Sequence, residues 1–229
     1  MSTNTPAVLI LCAGESKRWT TSVGTSKHMI DIFGDPLLVR MCKQVNKYGH
    51  IPHVITHDRE LINLLSDSHD VQFSSFDPPH REYTCQTFRS TIPLWVHDRV
   101  TVLLGDVLYS HALIDEIMTT RAKIMFYGSV IDRELYALTF ESIRYGQSLK
   151  QILRALDEVD KRVQVLKLHG QLWQLFYSLS LNSLSGRSHP QYIPHRVFYP
   201  VTDFTQDFDK VEEYKMFLAE DVKDDSIQV

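Results

Sequence analysis

A turn of small residues, followed by two basic side chains, lies near the N-terminus. The chain reads LCAGESKR over residues 11–18, and Lys27 follows further along. Because such a turn after a strand can direct backbone N–H groups outward, it can bind phosphate oxygens without side chains. Gly14 would let a triphosphate approach the main chain, and Arg18 and Lys27 would neutralise its charge. The segment predicts a phosphate site, although an ordinary strand-to-helix connection would account for the glycine turn alone.

Two acidic segments could hold a hard divalent cation. In VLLGD, Asp106 stands at the exit of an apolar run, the end of a strand where ligands of open α/β sheets gather. The second segment, TQDFDKVEEY over residues 205–214, contains Asp207 and Asp209. Magnesium binds through one or two carboxylates together with substrate phosphates, so these residues predict a magnesium site. The alternatives are a turn aspartate at 106 and a solvated acidic turn before the last helix.

Several classes of partner are disfavoured by the composition. The chain has neither the Gly-x-Gly-x-x-Gly of dinucleotide-binding turns nor the Gly-Lys-Ser/Thr of ATPase-type phosphate loops. With 24 Lys and Arg against 28 Asp and Glu, it lacks the positive charge expected of a nucleic-acid-binding protein. The first apolar run is too short to span a membrane, and three scattered cysteines fit a reducing compartment. We therefore predict a cytoplasmic protein with no nucleic acid or membrane partner. The sequence does not determine its oligomeric state.

Alternating strand and helix patterns position these residues. The 229 residues, 43% of them hydrophobic, suffice for one α/β core, so we expect a single domain over residues 1–229. Strands are predicted at 7–12, 54–56, 71–76 and 100–104, with helices between them at 36–48, 59–65 and 84–95. Such alternation predicts a mostly parallel sheet with helices on both faces.

The pattern changes after a helix predicted at 110–119. Residues 123–128 and 134–140 are strand candidates with no helix between them, so the sheet becomes mixed there. Helices are predicted at 148–156, 172–181 and 211–219, a strand at 197–201, and a loop at 182–195. The aromatic residues at 172–177 are interpreted as core, and His50, His53 and His57 as structural histidines, because no carboxylate pairs with them at ligand spacing.

These motifs resemble the signature of the nucleotidyltransferase superfamily, which includes sugar-1-phosphate uridylyltransferases and molybdenum-cofactor guanylyltransferase. Those proteins carry Leu-x-Ala-Gly-x-Gly-x-Arg, then Pro-Lys, then Gly-x-Pro-Leu. The matching positions are Leu11, Ala13, Gly14, Arg18, Lys27, Gly34 and Pro36. Ser16 replaces the second glycine and Ser26 the proline before Lys27. The two acidic segments are similar to the family's later motifs, with Lys210 and Val211 in place of Thr and Pro.

The resemblance implies a fold and a set of site residues. The fold is a three-layer α/β/α sandwich with a mostly parallel, mixed sheet, of the glycosyltransferase-A-like, Rossmann-like kind. The implied roles are catalysis for Arg18 and Lys27, nucleotide binding for Leu11, Ala13, Gly14 and Thr84, magnesium binding for Asp106 and Asp209, and acceptor binding for Gly128 and Glu141. We expect Gly128 and Glu141 to lie at the same sheet edge, with Glu134 as a competing carboxylate.

The resemblance also implies a reaction. A nucleoside monophosphate would pass from a nucleoside triphosphate to a small phosphorylated acceptor, such as a sugar-1-phosphate, with Mg²⁺ as cofactor and pyrophosphate as product, as in nucleotide-sugar biosynthesis. One alternative is a glycosyltransferase of the A type that uses a nucleotide sugar and binds metal through Asp207 and Asp209. Another is a non-catalytic nucleotide-binding regulatory protein, in keeping with the substitutions at Ser16, Ser26 and Lys210. Neither the base nor the acceptor follows from the sequence.

Overall fold

The computed structural model describes residues 6–14, 24–131, 134–166, 170–179, 197–208 and 210–219. Two predicted site residues, Arg18 and Asp209, lie outside these ranges, as does the loop predicted at 182–195. The other predicted site residues are all described.

Strands and helices alternate through the first half of the chain. The strands are β1 (Ala7–Leu11), β2 (Asp31–Ile32), β3 (Asp35–Pro36), β4 (His53–Ile55), β5 (Ser74–Phe76), β6 (Arg99–Leu104), β7 (Val107–Leu108), β8 (Ile124–Ser129), β9 (Glu134–Glu141), β10 (Phe198–Pro200) and β11 (Gln206–Asp207). The α-helices are α1 (Leu37–Asn46), α2 (Arg59–Asp67), α3 (Thr84–Ser90), α4 (His111–Thr119), α5 (Gln147–Leu166), α6 (Leu172–Leu179) and α7 (Val211–Ala219). Short 3-10 helices occupy Lys27–Met29 and Ile92–Leu94.

The central sheet has seven strands in the order β10-β8-β9-β6-β1-β4-β5. Strand β9 is antiparallel to both neighbours, β6 and β8, whereas the remaining pairings in this sheet are parallel. The carboxyl ends of the parallel strands therefore lie at one edge, together with the first residue of β9. We call this the carboxyl edge, and it is where ligands of open α/β sheets bind.

Alternate residues of β1 face opposite layers of helices. Leu9 and Leu11 pack with apolar residues of α3, α5 and α6. Val8 and Ile10 pack with residues of α1, α2 and α4. Successive side chains of a strand point to opposite faces, so a wholly apolar strand requires cover on both sides. The three-layer α/β/α sandwich with a mostly parallel, mixed sheet is thereby confirmed.

The structure departs from the predicted elements in a few places. The helix predicted at 84–95 ends at Ser90 and is followed by a 3-10 helix, since Pro93 lacks the N–H that a continued α-helix would need. The strand predicted at 71–76 begins only at Ser74, and the helix predicted at 148–156 continues to Leu166. The sequence pattern does not indicate the pairs β2–β3 and β7–β11, and the second pair contributes to the site.

Two further observations concern the cysteines and the helices. Cys12, Cys42 and Cys85 are buried free thiols. In the part of the chain that the structure describes, none of the helices combines the length and the apolar character needed to cross a membrane.

Candidate active site

Lys27 lies between two carboxylates at the carboxyl edge. Its Nζ is 2.5 Å from Oδ2 of Asp106 and 3.4 Å from Oδ1 of Asp207. The three side chains are 14%, 24% and 16% exposed, so solvent reaches them only in part. Burial opposes ionisation of Asp106, but the charge of Lys27 and hydrogen bonds to the carboxylate hold its pKa below the ordinary value. The fold thus brings charged groups from distant motifs into contact.

The Gly-Asp turn after β6 places Asp106. The N–H of Gly105 donates to the carbonyl oxygen of Leu11, 3.0 Å away, and ties the turn to the end of β1. A Cβ at Gly105 would lie 2.2 Å from Sγ of Cys12 and 2.9 Å from the Leu11 carbonyl oxygen. The close approach of the two strand ends therefore requires glycine before Asp106.

Asp207 reaches the site through the pairing of β11 with β7. The two strands are antiparallel, with Asp207 opposite Val107. The connection is held by Oγ1 of Thr205, which accepts from the N–H of Ser110 at 3.0 Å. Asp207 is therefore the residue of the acidic C-terminal segment that the described structure places beside Lys27.

The side chain of His28, the residue after Lys27, is buried. It is 4% exposed, and its Nδ1 shares a hydrogen bond of 2.9 Å with Oγ of Ser26. Burial lowers the pKa of His28 to about 4, so the imidazole is neutral at neutral pH. The Cδ2 atom lies 3.2 Å from the point where a Cβ on Gly105 would stand, so the ring packs against the Gly-Asp turn.

A cavity of about 740 Å³ opens at the carboxyl edge. Its volume falls in the range of small-molecule sites, which is roughly 300–1,000 Å³. Predicted site residues among its lining are Leu11, Ala13, Gly14, Lys27, Thr84 and Asp106. The remaining lining residues are His28, His57, Arg81, Glu82, Tyr83, Thr87, Leu104 and Gln171. The first motif and the Gly-Asp turn therefore face the same space.

Tyr83 and Gln171 form part of one wall of this cavity. The absence of a side chain at Gly170 allows the Tyr83 ring to pack against the backbone before Gln171. Gly170 has a φ of +62°, and a Cβ there would lie 2.1 Å from the Tyr83 ring. The N–H of Cys85 donates to the carbonyl oxygen of Gly170 at 2.8 Å, and Sγ of Cys85 donates to that of Gln171 at 3.2 Å. The Tyr83 hydroxyl donates to Asp160 of α5 at 2.7 Å. The wall thus depends on contacts between α3, α5 and the residues before α6.

A second cavity, of about 270 Å³, adjoins the first. The residues that line both are Lys27, Thr84, Leu104, Asp106 and Gln171. The second cavity is completed by Glu134, Leu135, Leu172, Trp173 and Asp207. Lys27 and Asp106 therefore stand where a ligand in one cavity would meet a ligand in the other.

Gly128 and Glu141 do not share a sheet edge, and this prediction is wrong. Ser129 pairs with Glu134 at the carboxyl edge, whereas Glu141 pairs with Arg99, the first residue of β6. Since a strand advances about 3.3 Å per residue, Glu141 lies roughly 20 Å from Glu134 along β9. The chain reverses between β8 and β9. The first residue of β9 therefore lies at the carboxyl edge, and the last residue lies at the opposite edge. Glu134, the competing carboxylate, lines the second cavity.

The glycine at 128 has a packing role in the sheet. A Cβ at Gly128 would lie 2.2 Å from the carbonyl oxygen of Glu134. The pairing of β8 with β9 shifts register between Tyr127 and Gly128, so the two backbones approach closely there. The neighbouring strand fills the space that a side chain would need.

Of the remaining candidates, the aromatic helix and His53 have structural contacts, whereas His57 lines the larger cavity. Phe176 in the aromatic helix is fully buried and Trp173 is 7% exposed, so this helix belongs to the core. Nδ1 of His53 shares a hydrogen bond of 2.6 Å with Oγ of Ser74. Within the described ranges, no group of three or more His, Cys, Asp and Glu side chains is arranged to hold a metal ion by itself.

Gln171 lines both cavities, although sequence reasoning did not single it out. It precedes an apolar helix and lies far along the chain from the other lining residues. Its place in the site follows from the hydrogen bond between Cys85 and its carbonyl oxygen. A contact of this kind leaves no local pattern by which the sequence could reveal it.

Comparison with known proteins identifies the fold. No family model and no curated protein sequence matches this chain. Among solved structures, a Bacillus anthracis protein described as a glucose-1-phosphate thymidylyltransferase is 12% identical, with a TM-score of 0.63 over 97% of this chain and 99% of that chain. CTP:phosphocholine cytidylyltransferase from Streptococcus pneumoniae is 13% identical, with a TM-score of 0.59 over 93% and 97%. HddC from Yersinia pseudotuberculosis, complexed with GMP-PN, is 13% identical, with a TM-score of 0.54 over 93% and 97%.

The chain has the nucleotidyltransferase fold. At 12–13% identity, the similarity to these structures establishes the fold alone. This is the fold that the motifs near Gly14, Lys27 and Asp106 predict. Within this nucleotidyltransferase fold, both cavities open at the carboxyl edge, and the Lys27–Asp106 pair stands at their junction.

Proposed function

We propose that the protein is a magnesium-dependent nucleotidyltransferase, which transfers a nucleoside monophosphate from a nucleoside triphosphate to a small phosphorylated acceptor and releases pyrophosphate. One observation carries the proposal: Lys27 and Asp106 line both a cavity of about 740 Å³ and the smaller cavity of about 270 Å³ beside it. A transfer reaction needs two ligands whose reacting atoms meet, and charged groups at the meeting point. Neighbours described as acting on glucose-1-phosphate and on phosphocholine support a small phosphorylated acceptor.

Each cavity suits one substrate. The larger one, bounded by the turn at Ala13 and Gly14 and by Thr84, would hold the triphosphate. The smaller one, bounded by Glu134, would hold the acceptor, since a carboxylate can accept two hydroxyl hydrogen bonds. Glu141 lies at the opposite sheet edge and is too far away to contact this acceptor.

The carboxylates around Lys27 fit a magnesium ion. The ammonium of Lys27 lies within 3.4 Å of both Asp106 and Asp207. The two carboxylates therefore already contact one cation together. Carboxylate oxygens are ligands that magnesium prefers, and phosphates and water complete its shell. We propose Asp106 as one protein ligand and, from the resemblance of the C-terminal motif, Asp209 as the other; Asp207 is the residue of that motif whose contact with Lys27 is described. The bound ion would neutralise charge on the phosphate oxygens.

The reaction needs no covalent enzyme intermediate. An oxygen of the acceptor would attack the α-phosphorus in line with the bond to the leaving pyrophosphate. Lys27 and Arg18 would hold the pyrophosphate, and the backbone at Gly14 would allow the triphosphate to approach closely. Catalysis would then consist of positioning and charge stabilisation.

Pyrophosphate release is the decisive measurement. Four nucleoside triphosphates would be tested against a set of sugar-1-phosphates and phosphocholine, with Mg²⁺ and with EDTA. We expect release that requires a triphosphate, an acceptor and the metal together. A glycosyltransferase would consume a nucleotide sugar without releasing pyrophosphate, and a regulatory protein would bind triphosphate without turnover. Either result would contradict the proposal.

The three neighbours do not agree on one base, since their names mention thymidylyl and cytidylyl transfer and a bound GMP-PN. The base is therefore an outcome of the same experiment. The predicted cytoplasmic location continues to rest on the unpaired cysteines.

A further inference from the structure

The residue before Lys27 has a backbone conformation that a proline would fix. Ser26 has φ −67° and ψ 144°. A proline ring holds φ near −65°, whereas serine has access to several other conformations. The matching motif of the family has proline at this position, and Ser26 replaces it. Without a proline ring, a hydrogen bond can hold the residue in this one conformation.

The side chain of Ser26 supplies that restraint. Its Oγ shares a hydrogen bond of 2.9 Å with Nδ1 of His28, two residues further on. The bond closes a ring across the backbone of Lys27. The carbonyl oxygen of Ser26 also accepts from the N–H of Met29 at 2.9 Å, which closes the 3-10 turn around the same residue. Local hydrogen bonds from serine side chains select one backbone conformation among those available.

His28 is itself held by the fold. Its side chain is buried, and the ring packs against Gly105, the glycine before Asp106. The Ser26–His28 pair therefore connects the backbone of Lys27 to the Gly-Asp turn. The same two segments also meet through their side chains, since Nζ of Lys27 and Oδ2 of Asp106 are 2.5 Å apart.

We propose that Ser26 and His28 are positioning residues that orient Lys27 toward the phosphate site through their shared hydrogen bond. In the family motif, the covalent restraint of proline would achieve the same orientation. The inference rests on the proposed function in that Lys27 contacts the triphosphate. The orientation of Lys27 does not depend on which acceptor or base is used.

Binding of inorganic tripolyphosphate, measured by calorimetry, tests the inference with a probe that needs neither base nor acceptor. Loss of one hydrogen bond should make Ser26→Ala bind about two- to tenfold more weakly than the parent. Ser26→Pro should regain the parent affinity. The matched control is Ser66→Ala, which loses a hydroxyl hydrogen bond of 2.8 Å to the carbonyl oxygen of Ile62 within α2 and should bind like the parent. Equal affinity of Ser26→Ala and the parent would overturn the inference.

A second variant keeps the test independent of how well proline fits. His28→Leu removes the same bond, and because the ring also lines the larger cavity it should weaken binding at least as much as Ser26→Ala does. The double variant Ser26→Ala/His28→Leu should be no weaker than His28→Leu alone, because the shared interaction is already lost in that variant. Additive losses in the double variant would show that the two residues act separately and would overturn the inference.

Turnover separates this inference from the proposed function. If the variants bind tripolyphosphate in the expected order but no substrate pair releases pyrophosphate, the proposed function fails and the positioning role stands. If the enzyme is active and Ser26→Ala has the parent KM for the triphosphate, the positioning role fails and the function stands. A positioning role predicts a higher KM for the triphosphate in Ser26→Ala, an unchanged KM for the acceptor, and recovery in Ser26→Pro.

Discussion

Lys27 balances the charge of Asp106 and Asp207 and also lines both cavities. The proposed reaction requires its ammonium to exchange a carboxylate contact for a phosphate contact. An exchange of this kind needs a compact cation on a flexible stem, and lysine has both properties. The residue type at this position therefore suits the step better than arginine would.

The first prediction concerns Lys27→Ala. Loss of a charge-assisted phosphate contact should weaken triphosphate binding by about ten- to a hundredfold, because such bonds contribute roughly 1.5 to 3 kcal/mol. Calorimetry with the triphosphate and with the free acceptor measures this, and acceptor binding should change little. Lys150→Ala, on the exposed start of α5, is the matched control. Equal triphosphate affinity in Lys27→Ala and the parent would remove Lys27 from the site.

The second prediction concerns Asp106→Asn. The substitution keeps the shape of the Gly-Asp turn but removes a charged ligand, so turnover with Mg²⁺ should fall by about a hundredfold or more while the protein stays folded. Steady-state pyrophosphate release and circular dichroism check the two parts. Asp67→Asn, an exposed residue at the end of α2, should behave like the parent. Near-full activity of Asp106→Asn would show that the metal assignment is wrong.

At the scale of elements, the direction of β9 decides which carboxylate reaches the site. Because β9 is antiparallel to β6 and β8, Glu134 lies at the carboxyl edge and Glu141 at the other. The sequence identifies both residues as strand ends, but it does not reveal which end of β9 lies beside the Gly-Asp turn.

The third prediction separates these two carboxylates. Glu134→Ala should raise the KM for the acceptor by about tenfold or more, because a hydrogen bond to a charged group is lost, and should leave triphosphate affinity unchanged. Glu141→Ala is the matched control and should leave both constants unchanged. A raised acceptor KM in Glu141→Ala alone would contradict the placement of the acceptor in the smaller cavity.

The fourth prediction concerns the wall formed by α3 and the segment before α6. Gly49 and Gly170 both have positive φ, but a Cβ at Gly49 has open space around it. Gly49→Ala should therefore cost only the left-handed backbone penalty, about 1 kcal/mol in the free energy of unfolding. Gly170→Ala should cost about 1–3 kcal/mol more, because its Cβ would collide with the Tyr83 ring. Urea denaturation measures the difference, and equal losses would contradict the close packing.

At the scale of the whole molecule, the site belongs to no single segment. Its lining comes from the ends of β1 and β6, from α3, from the start of β9 and from β11. A ligand that contacts all of these should stabilise the folded chain as a whole.

The fifth prediction follows from this distribution. At a hundredfold excess over its Kd, a ligand stabilises the folded state by about 2.7 kcal/mol, which raises Tm by roughly 5–10 °C for a chain of this size. We expect this shift for the cognate triphosphate with Mg²⁺, a smaller one with EDTA, and little for the nucleoside without phosphates. Equal shifts for the nucleoside and the triphosphate would show that phosphate contacts contribute little.

The sequence by itself determined the fold class and much of the lining of the larger cavity. An apolar strand that leads into a small-residue turn, and alternating strand and helix periods, are local properties that neighbouring residues encode. The spacing of Gly14, Lys27 and Asp106 could therefore be read directly, and all three line the larger cavity. Arg18 and Asp209 lie outside the described residues, so their roles remain predictions.

Only the tertiary structure decided how distant segments meet. The pairing of β7 with β11 brings Asp207 to Lys27, the reversal after β8 brings Glu134 to the smaller cavity, and the hydrogen bond from Cys85 holds Gln171 in place. Such contacts depend on strand order and register, which follow from the burial of the whole core and not from any short run of residues. The hydrogen bond between Ser26 and His28 joins residues only two positions apart, but the burial that holds the His28 ring in place comes from the tertiary fold.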